Sequence, residues 1–115
     1  MINLDGKVFI AVSNSSNGEV GEDTLFYYYQ NDNIISAEYS GGDIIKGNLI
    51  GKQLPSGEFD FVYHHINVDG ELKVGKCISK AEYTDDNKII LYETWQWLSG
   101  DMSEGKSELI EVERI

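Results

Sequence analysis

Turn signals recur along this chain at short intervals, and they constrain its fold more than any other feature. Asn17-Gly18, Asp32-Asn33, Ser40-Gly41-Gly42, Pro55-Ser56-Gly57, Asp69-Gly70, Asp85-Asp86-Asn87 and Gly100-Asp101 cut it into eight segments. Asn-Gly and Asp-Gly pairs supply the positive φ of tight hairpin turns, since glycine has no Cβ to clash. Between the marks, β-branched and aromatic residues dominate, which suits a pleated, half-buried surface. Strands are expected near 7–14, 23–30, 33–40, 43–53, 57–67, 71–83, 88–98 and 105–114. No stretch carries a helical period, and Ser99 to Lys106 holds no more than a turn.

Eight consecutive strands with short connections form a meander, and such a meander closes naturally into an antiparallel up-and-down barrel. Several expected strands are longer than the usual ~5–6 residues, which suits a tilted barrel better than the alternative, a two-sheet sandwich. The all-β reading takes residues 1–115 as one domain. An eight-stranded barrel has an interior that side chains fill or that holds one small ligand.

Alternation then divides inner from outer residues. The fifth strand puts Phe59, Phe61, Tyr63, His65 and Asn67 on one face, opposite Asp60, Val62, His64 and Ile66. The seventh groups Ile89, Leu91, Glu93, Trp95 and Trp97. The fourth is expected to place Ile45, Gly47 and Leu49 together. The second, Leu25 to Tyr29, does not resolve, because both its faces are apolar or aromatic. Gly47 and Gly75 interrupt strands and are expected at the coiling or bulges that closure requires.

The inner sets bring Tyr63, His65, Asn67, Glu93, Trp95 and Trp97 together, with Tyr39 and Ser40 expected at the rim. Aromatic walls with a few fixed polar groups are what a small-ligand pocket requires. Glu93 is the key member, because a carboxylate among Leu91, Trp95 and Trp97 has to be paired, hydrogen-bonded or protonated. An amine-bearing or cationic ligand suits Glu93 and the aromatics better than an anion.

Other chemistries find less support. His64 and His65 are adjacent in a strand and face opposite ways, so they do not chelate one metal ion. Cys77 and His65 fall on neighbouring strands, and a nucleophilic thiol needs a base in reach and a partner orienting it, but in Gly75-Lys76-Cys77-Ile78-Ser79 the cysteine is expected as a small barrel-lining residue. The segment Tyr39-Ser40-Gly41-Gly42-Asp43 lacks the following helix of a phosphate loop. No cofactor is expected.

Charge narrows the partners. Twenty acidic and nine basic residues give a net charge of -11, which repels nucleic acid and anionic membranes. With 41% apolar and 11% aromatic residues there is material for a core, so the acidity does not mean disorder. Glu19, Glu22, Glu58, Asp60, Glu71, Asp85 and Asp86 read as a solvated coat. Met1 to Gly6 shows no secretory signal and Cys77 stands alone, so a reduced, cytoplasmic protein is expected.

The stretches Phe9 to Asn14, Tyr39-Ser40-Gly41-Gly42, Tyr63 to Glu71, and Glu93-Thr94-Trp95-Gln96-Trp97 with Ser99-Gly100-Asp101 resemble a family of small bacterial proteins of about this length. The resemblance spans nearly the whole chain. Members are uncharacterised, and some carry the label N-acetylglutamate synthase. In architecture the meander resembles the calycin group of avidin-like and lipocalin-like barrels, which implies small-molecule binding inside. Acetyl transfer from acetyl-CoA in its usual fold needs a helix at a glycine-rich loop, and this pattern has neither. Non-catalytic binding of a small ligand is the leading expectation. The alternatives are an enzyme using Glu93 and His65, or a filled barrel that dimerises through an outer face carrying Val62 and Ile66.

Overall fold

A computed structural model describes residues 1–113. It contains β1 (Val8–Asn14), β2 (Leu25–Asn31), β3 (Ile34–Gly41), β4 (Ile44–Gln53), β5 (Phe59–Asn67), β6 (Leu72–Tyr83), β7 (Ile89–Trp97) and β8 (Glu104–Val112). Each strand pairs antiparallel with the next, and β8 returns to pair with β1, so the sheet closes into a barrel in chain order. The expected meander barrel is the observed one. Of the eighth expected strand, residue 114 lies outside the described residues. Among the described residues no helix is long and apolar enough to cross a membrane.

The turn chemistry explains the connections. Positive φ falls at Asp32, Gly41, Gly42, Gly57, Gly70, Asn87 and Gly100, at every sequence mark except Asn17-Gly18. There no tight hairpin forms. Residues 15–24 run instead as an irregular segment across one end of the barrel.

Inward parity follows alternation on β5 and β7, where each residue expected inside is buried except the half-buried Tyr63. On β2 the inner residues are Phe26, Tyr28 and Gln30. The register set by the Asp32 turn pairs Phe26 with Tyr39 and Tyr28 with Ala37. On β4 one expectation fails. Ile45 is exposed while Ile44 is buried, because a register shift between Ile44 and Lys46 inserts an extra residue and reverses the alternation.

Gly47 borders the register shifts at Tyr39–Gly41 and Ile44–Lys46, as expected, whereas Gly75 sits in regular pairing. Both face inward, and a Cβ on Gly47 would strike the Tyr39 ring, one on Gly75 the Tyr63 ring. Gly105 of β8 seats Trp95 in the same way. Bare backbone on one strand thus makes room for an aromatic ring from the next, and large rings lie along the barrel wall.

The two ends differ. At one end Leu4, Ile35, Phe59, Ile89 and Leu91 are fully buried, and the amino-terminal segment covers them. There Gln30 Oε1 accepts from the Leu4 N–H and Gln53 Nε2 donates to the Ile2 carbonyl. The other end carries the β3–β4, β5–β6 and β7–β8 turns, the 15–24 segment and the expected site residues.

Candidate functional site

Inside the barrel lies a cavity of about 40 Å³. That is room for a few water molecules, since one needs on the order of 10–15 Å³ measured this way. Its walls are aromatic: Phe26, Tyr39, Phe61, Tyr63, Trp95 and Trp97 all line it. The rings pack in sequence, Phe26 on Tyr39 at 4.9 Å between centroids and Tyr63 on Trp97 at 5.7 Å. Trp95 and Trp97 stand 5.5 Å apart. Each indole donates to a fixed acceptor, Trp95 Nε1 to Asn14 Oδ1 and Trp97 Nε1 to the Asn17 carbonyl.

The deeper part of the cavity is polar. Glu93 is buried, and its Oε1 accepts from Ser107 Oγ at 3.2 Å across the β7–β8 ladder. Its Oε2 has no partner, nor does the Tyr28 hydroxyl. Glu93 and Ser79 are opposite each other on β7 and β6. Burial pushes the Glu93 carboxyl up to about 7, against the opposing influence of the Ser107 and Ser79 hydroxyls. Burial likewise raises the phenols of Tyr28, Tyr39 and Tyr63 and the thiol of Cys77, so all four stay protonated at neutral pH. An inert thiol of this kind agrees with Cys77 as a wall residue.

The mouth is built around His65. Its Nε2 lies 2.8 Å from Glu19 Oε1, and its Nδ1 lies 2.9 Å from the Tyr39 hydroxyl. A carboxylate only accepts, so Nε2 carries the proton and Nδ1 accepts from Tyr39. Burial lowers the imidazole's pKa and outweighs the raising effect of the Glu19 carboxylate, which favours the neutral ring. Burial alone would raise the Glu19 carboxyl, yet its bonds to His65 and Asn67 hold it below its ordinary value. Asn67 Nδ2 donates to Glu19 Oε2 at 3.2 Å and to Glu71 Oε1 at 3.0 Å, and Lys73 Nζ lies 3.7 Å from Glu19. Lys73 also sits over the Trp97 ring at 5.6 Å.

The expected residues therefore divide. Tyr39, Tyr63, His65, Glu93, Trp95 and Trp97 all border one cavity. Asn67 is buried beside it, where it holds Glu19 and accepts from the Asp69 and Glu71 N–H groups that shape the β5–β6 turn. Ser40 is exposed on the outer face beside Leu25 and takes no part in the lining. Glu93 and His65 do not form an acid–base pair. Four residues of β7, about 13 Å of strand, separate Glu93 from Trp97, the ring that packs on His65 at 5.8 Å. Both His65 nitrogens are also engaged.

Glu19 is not part of a solvated coat. Its carboxylate turns into the mouth, and Gly18, Glu19 and Val20 line the cavity. Nothing in the local sequence signals this, because the path of residues 15–24 depends on partners far along the chain. Alternation on β8 sets the face of Ser107, whereas on β2 both faces are apolar or aromatic and only the register with β3 fixes Tyr28 inward. His64 is exposed while His65 is buried, and among the described residues no three His, Cys, Asp or Glu side chains are grouped to hold a metal ion.

A family model described as avidin-like protein matches residues 2–112. No curated protein and no solved structure matches the chain. The closed eight-stranded meander agrees with that family's calycin-like architecture. With the match covering nearly its whole length, the chain belongs to the avidin-like protein family.

Proposed function

We propose that this protein binds a small ligand inside its barrel without chemical conversion of it. An N–H-bearing or cationic group of the ligand meets Glu93 at the deep end, and Trp95, Trp97 and Tyr63 enclose a small apolar remainder, in keeping with a cavity of about 40 Å³. The observation that carries this reading is the pair of buried, unpartnered polar atoms Glu93 Oε2 and Tyr28 Oη, whose residues both line the cavity. Leaving such a group unsatisfied costs on the order of 1–3 kcal/mol. Two on one small cavity mark a place where partners from outside the chain are accommodated. A carboxylate and a phenol accept from N–H donors, and the phenol also donates to a neighbouring carbonyl.

The experiment is a thermal-shift screen of amines, amides, ureas and amine-bearing metabolites, biotin among them, on the wild type and Glu93→Gln. A compound that stabilises the wild type and loses that effect in the variant supports the reading. A compound that stabilises both equally binds elsewhere.

A second reading, association of two copies through the outer face, has its own observation. Val62 and Ile66 are exposed, and their cross-strand neighbours Ile50 and Leu72 are exposed apolar residues too. Sedimentation of the wild type against Val62→Asp tests it; a monomer in both removes it.

A further inference from the structure

Both ends of the cavity are covered, and the two covers are attached differently. The far end is sealed by buried apolar side chains and the amino-terminal segment. The wall is a continuous ladder of paired strands. The mouth is covered by residues 15–24, whose main-chain bonds past Ser15 are local turns, Gly18 N–H to the Ser15 carbonyl and Thr24 N–H to the Gly21 carbonyl. The segment is tied down near its two ends: Ser15 exchanges bonds with the Lys106 main chain, Asn17 Nδ2 donates to Ser103 Oγ and the Glu104 carbonyl, the Asn17 carbonyl accepts from Trp97 Nε1, and Thr24 Oγ1 donates to the Gly41 carbonyl. Between them, the Val20 carbonyl accepts from Asn14 Nδ2, and Glu19 is held by His65, Asn67 and Lys73.

We propose that residues 15–24 form a gate over the barrel mouth and that Glu19 is its latch. The proposal rests on the ligand-binding reading for its purpose, because a ligand larger than a few waters has to pass this segment. It rests on geometry for its mechanism. The receptor for the latch is rigid: His65 and Asn67 are both buried, His65 is fixed by Tyr39, and Asn67 is fixed by the β5–β6 turn. The latch itself sits past Ser15, where the main chain bonds to other main chain only within the segment, so it lifts by local opening, which requires far less than global unfolding. Glu19 in the mouth also presents a negative group to any entering amine, so the latch and the walls contact the same visitor.

Cys77 reads out the gate without any ligand. It is the only cysteine, it is buried, and it lines the cavity behind the gate. The experiment measures Cys77 alkylation by iodoacetamide at one alkaline pH in the wild type, Glu19→Gln and Glu19→Ala. Each rate is set beside the same variant's global unfolding rate from urea kinetics. The gate predicts alkylation at least 10-fold faster in Glu19→Ala, a smaller rise in Glu19→Gln, which keeps an acceptor oxygen, and global unfolding rates too slow to account for either. Equal alkylation in all three proteins overturns the gate. So does alkylation that tracks global unfolding in every variant. If Glu19→Ala does not fold, Glu19→Gln alone decides between the same outcomes. A barrel with a working gate and no ligand from any screen would fail the binding reading while leaving the gate intact.

Discussion

Glu93 and Ser107 face each other across the β7–β8 ladder, and the serine hydroxyl satisfies one carboxylate oxygen at 3.2 Å while the other has no partner. A carboxyl group half-satisfied in an aromatic interior is held close to neutrality, with its pKa near 7. Its protonation in the folded state therefore begins well above the range in which the unfolded chain takes up the same proton.

The stability consequence has a definite sign. The folded pKa is raised, so the group's favourable contribution is complete below about pH 4.5 and is lost as pH rises through about 7. At full ionisation the loss is about 3 kcal/mol, at 1.36 kcal/mol per pKa unit. Glu93→Gln removes a charge the interior does not favour. Its melting temperature is expected to exceed the wild type's at pH 8 by several degrees, and the difference is expected to shrink at pH 5. Scanning calorimetry at the two pH values checks this; a difference independent of pH contradicts it.

His65 is expected to be a neutral ring with the proton on Nε2 and a pKa below its ordinary value. Nitrogen-15 NMR of the imidazole reports both. Glu19→Gln removes the carboxylate that raises this pKa, so the value is expected to fall further. A rise in that variant would mean that Glu19 does not face the ring.

The glycine seats make a packing prediction. Gly105→Ala puts a methyl group into the Trp95 indole, and overpacking of this kind costs roughly 1–3 kcal/mol. Trp95→Ala alone is also destabilising, by about 3–5 kcal/mol. Because the two side chains compete for one space, the double variant is expected to cost clearly less than the sum. Urea unfolding of the cycle measures this, and strict additivity would show that Trp95 does not depend on that seat.

Much of the fold was legible because its cause is local. Turn residues with positive φ and period-two alternation set the strand order and the inner faces of β5 and β7, and with them six of the residues around the cavity. The exceptions have non-local causes. A single bulge at Ile44–Lys46 reversed the face of Ile45. Ser40 lies one residue from Tyr39, and alternation sends it outward. Gly47 and Gly75 read as interruptions from the sequence, whereas their role appears only with the ring on the neighbouring strand. Glu19 departs furthest from its expected place in the solvated coat, since its partners lie 46 to 54 positions away on β5 and β6.

The central claim is that Glu93 receives an N–H-bearing ligand between aromatic walls. Trp95 and Trp97 are the only tryptophans, and both line the cavity, so their fluorescence reports its occupation. The most direct test is a titration with methylamine, small enough for the cavity, at pH 8, following that fluorescence in the wild type and in Glu93→Gln. Saturable quenching in the wild type, with affinity at least 10-fold weaker in the variant, is the predicted result. Equal affinity in the two proteins, or no saturable change in either, would contradict it.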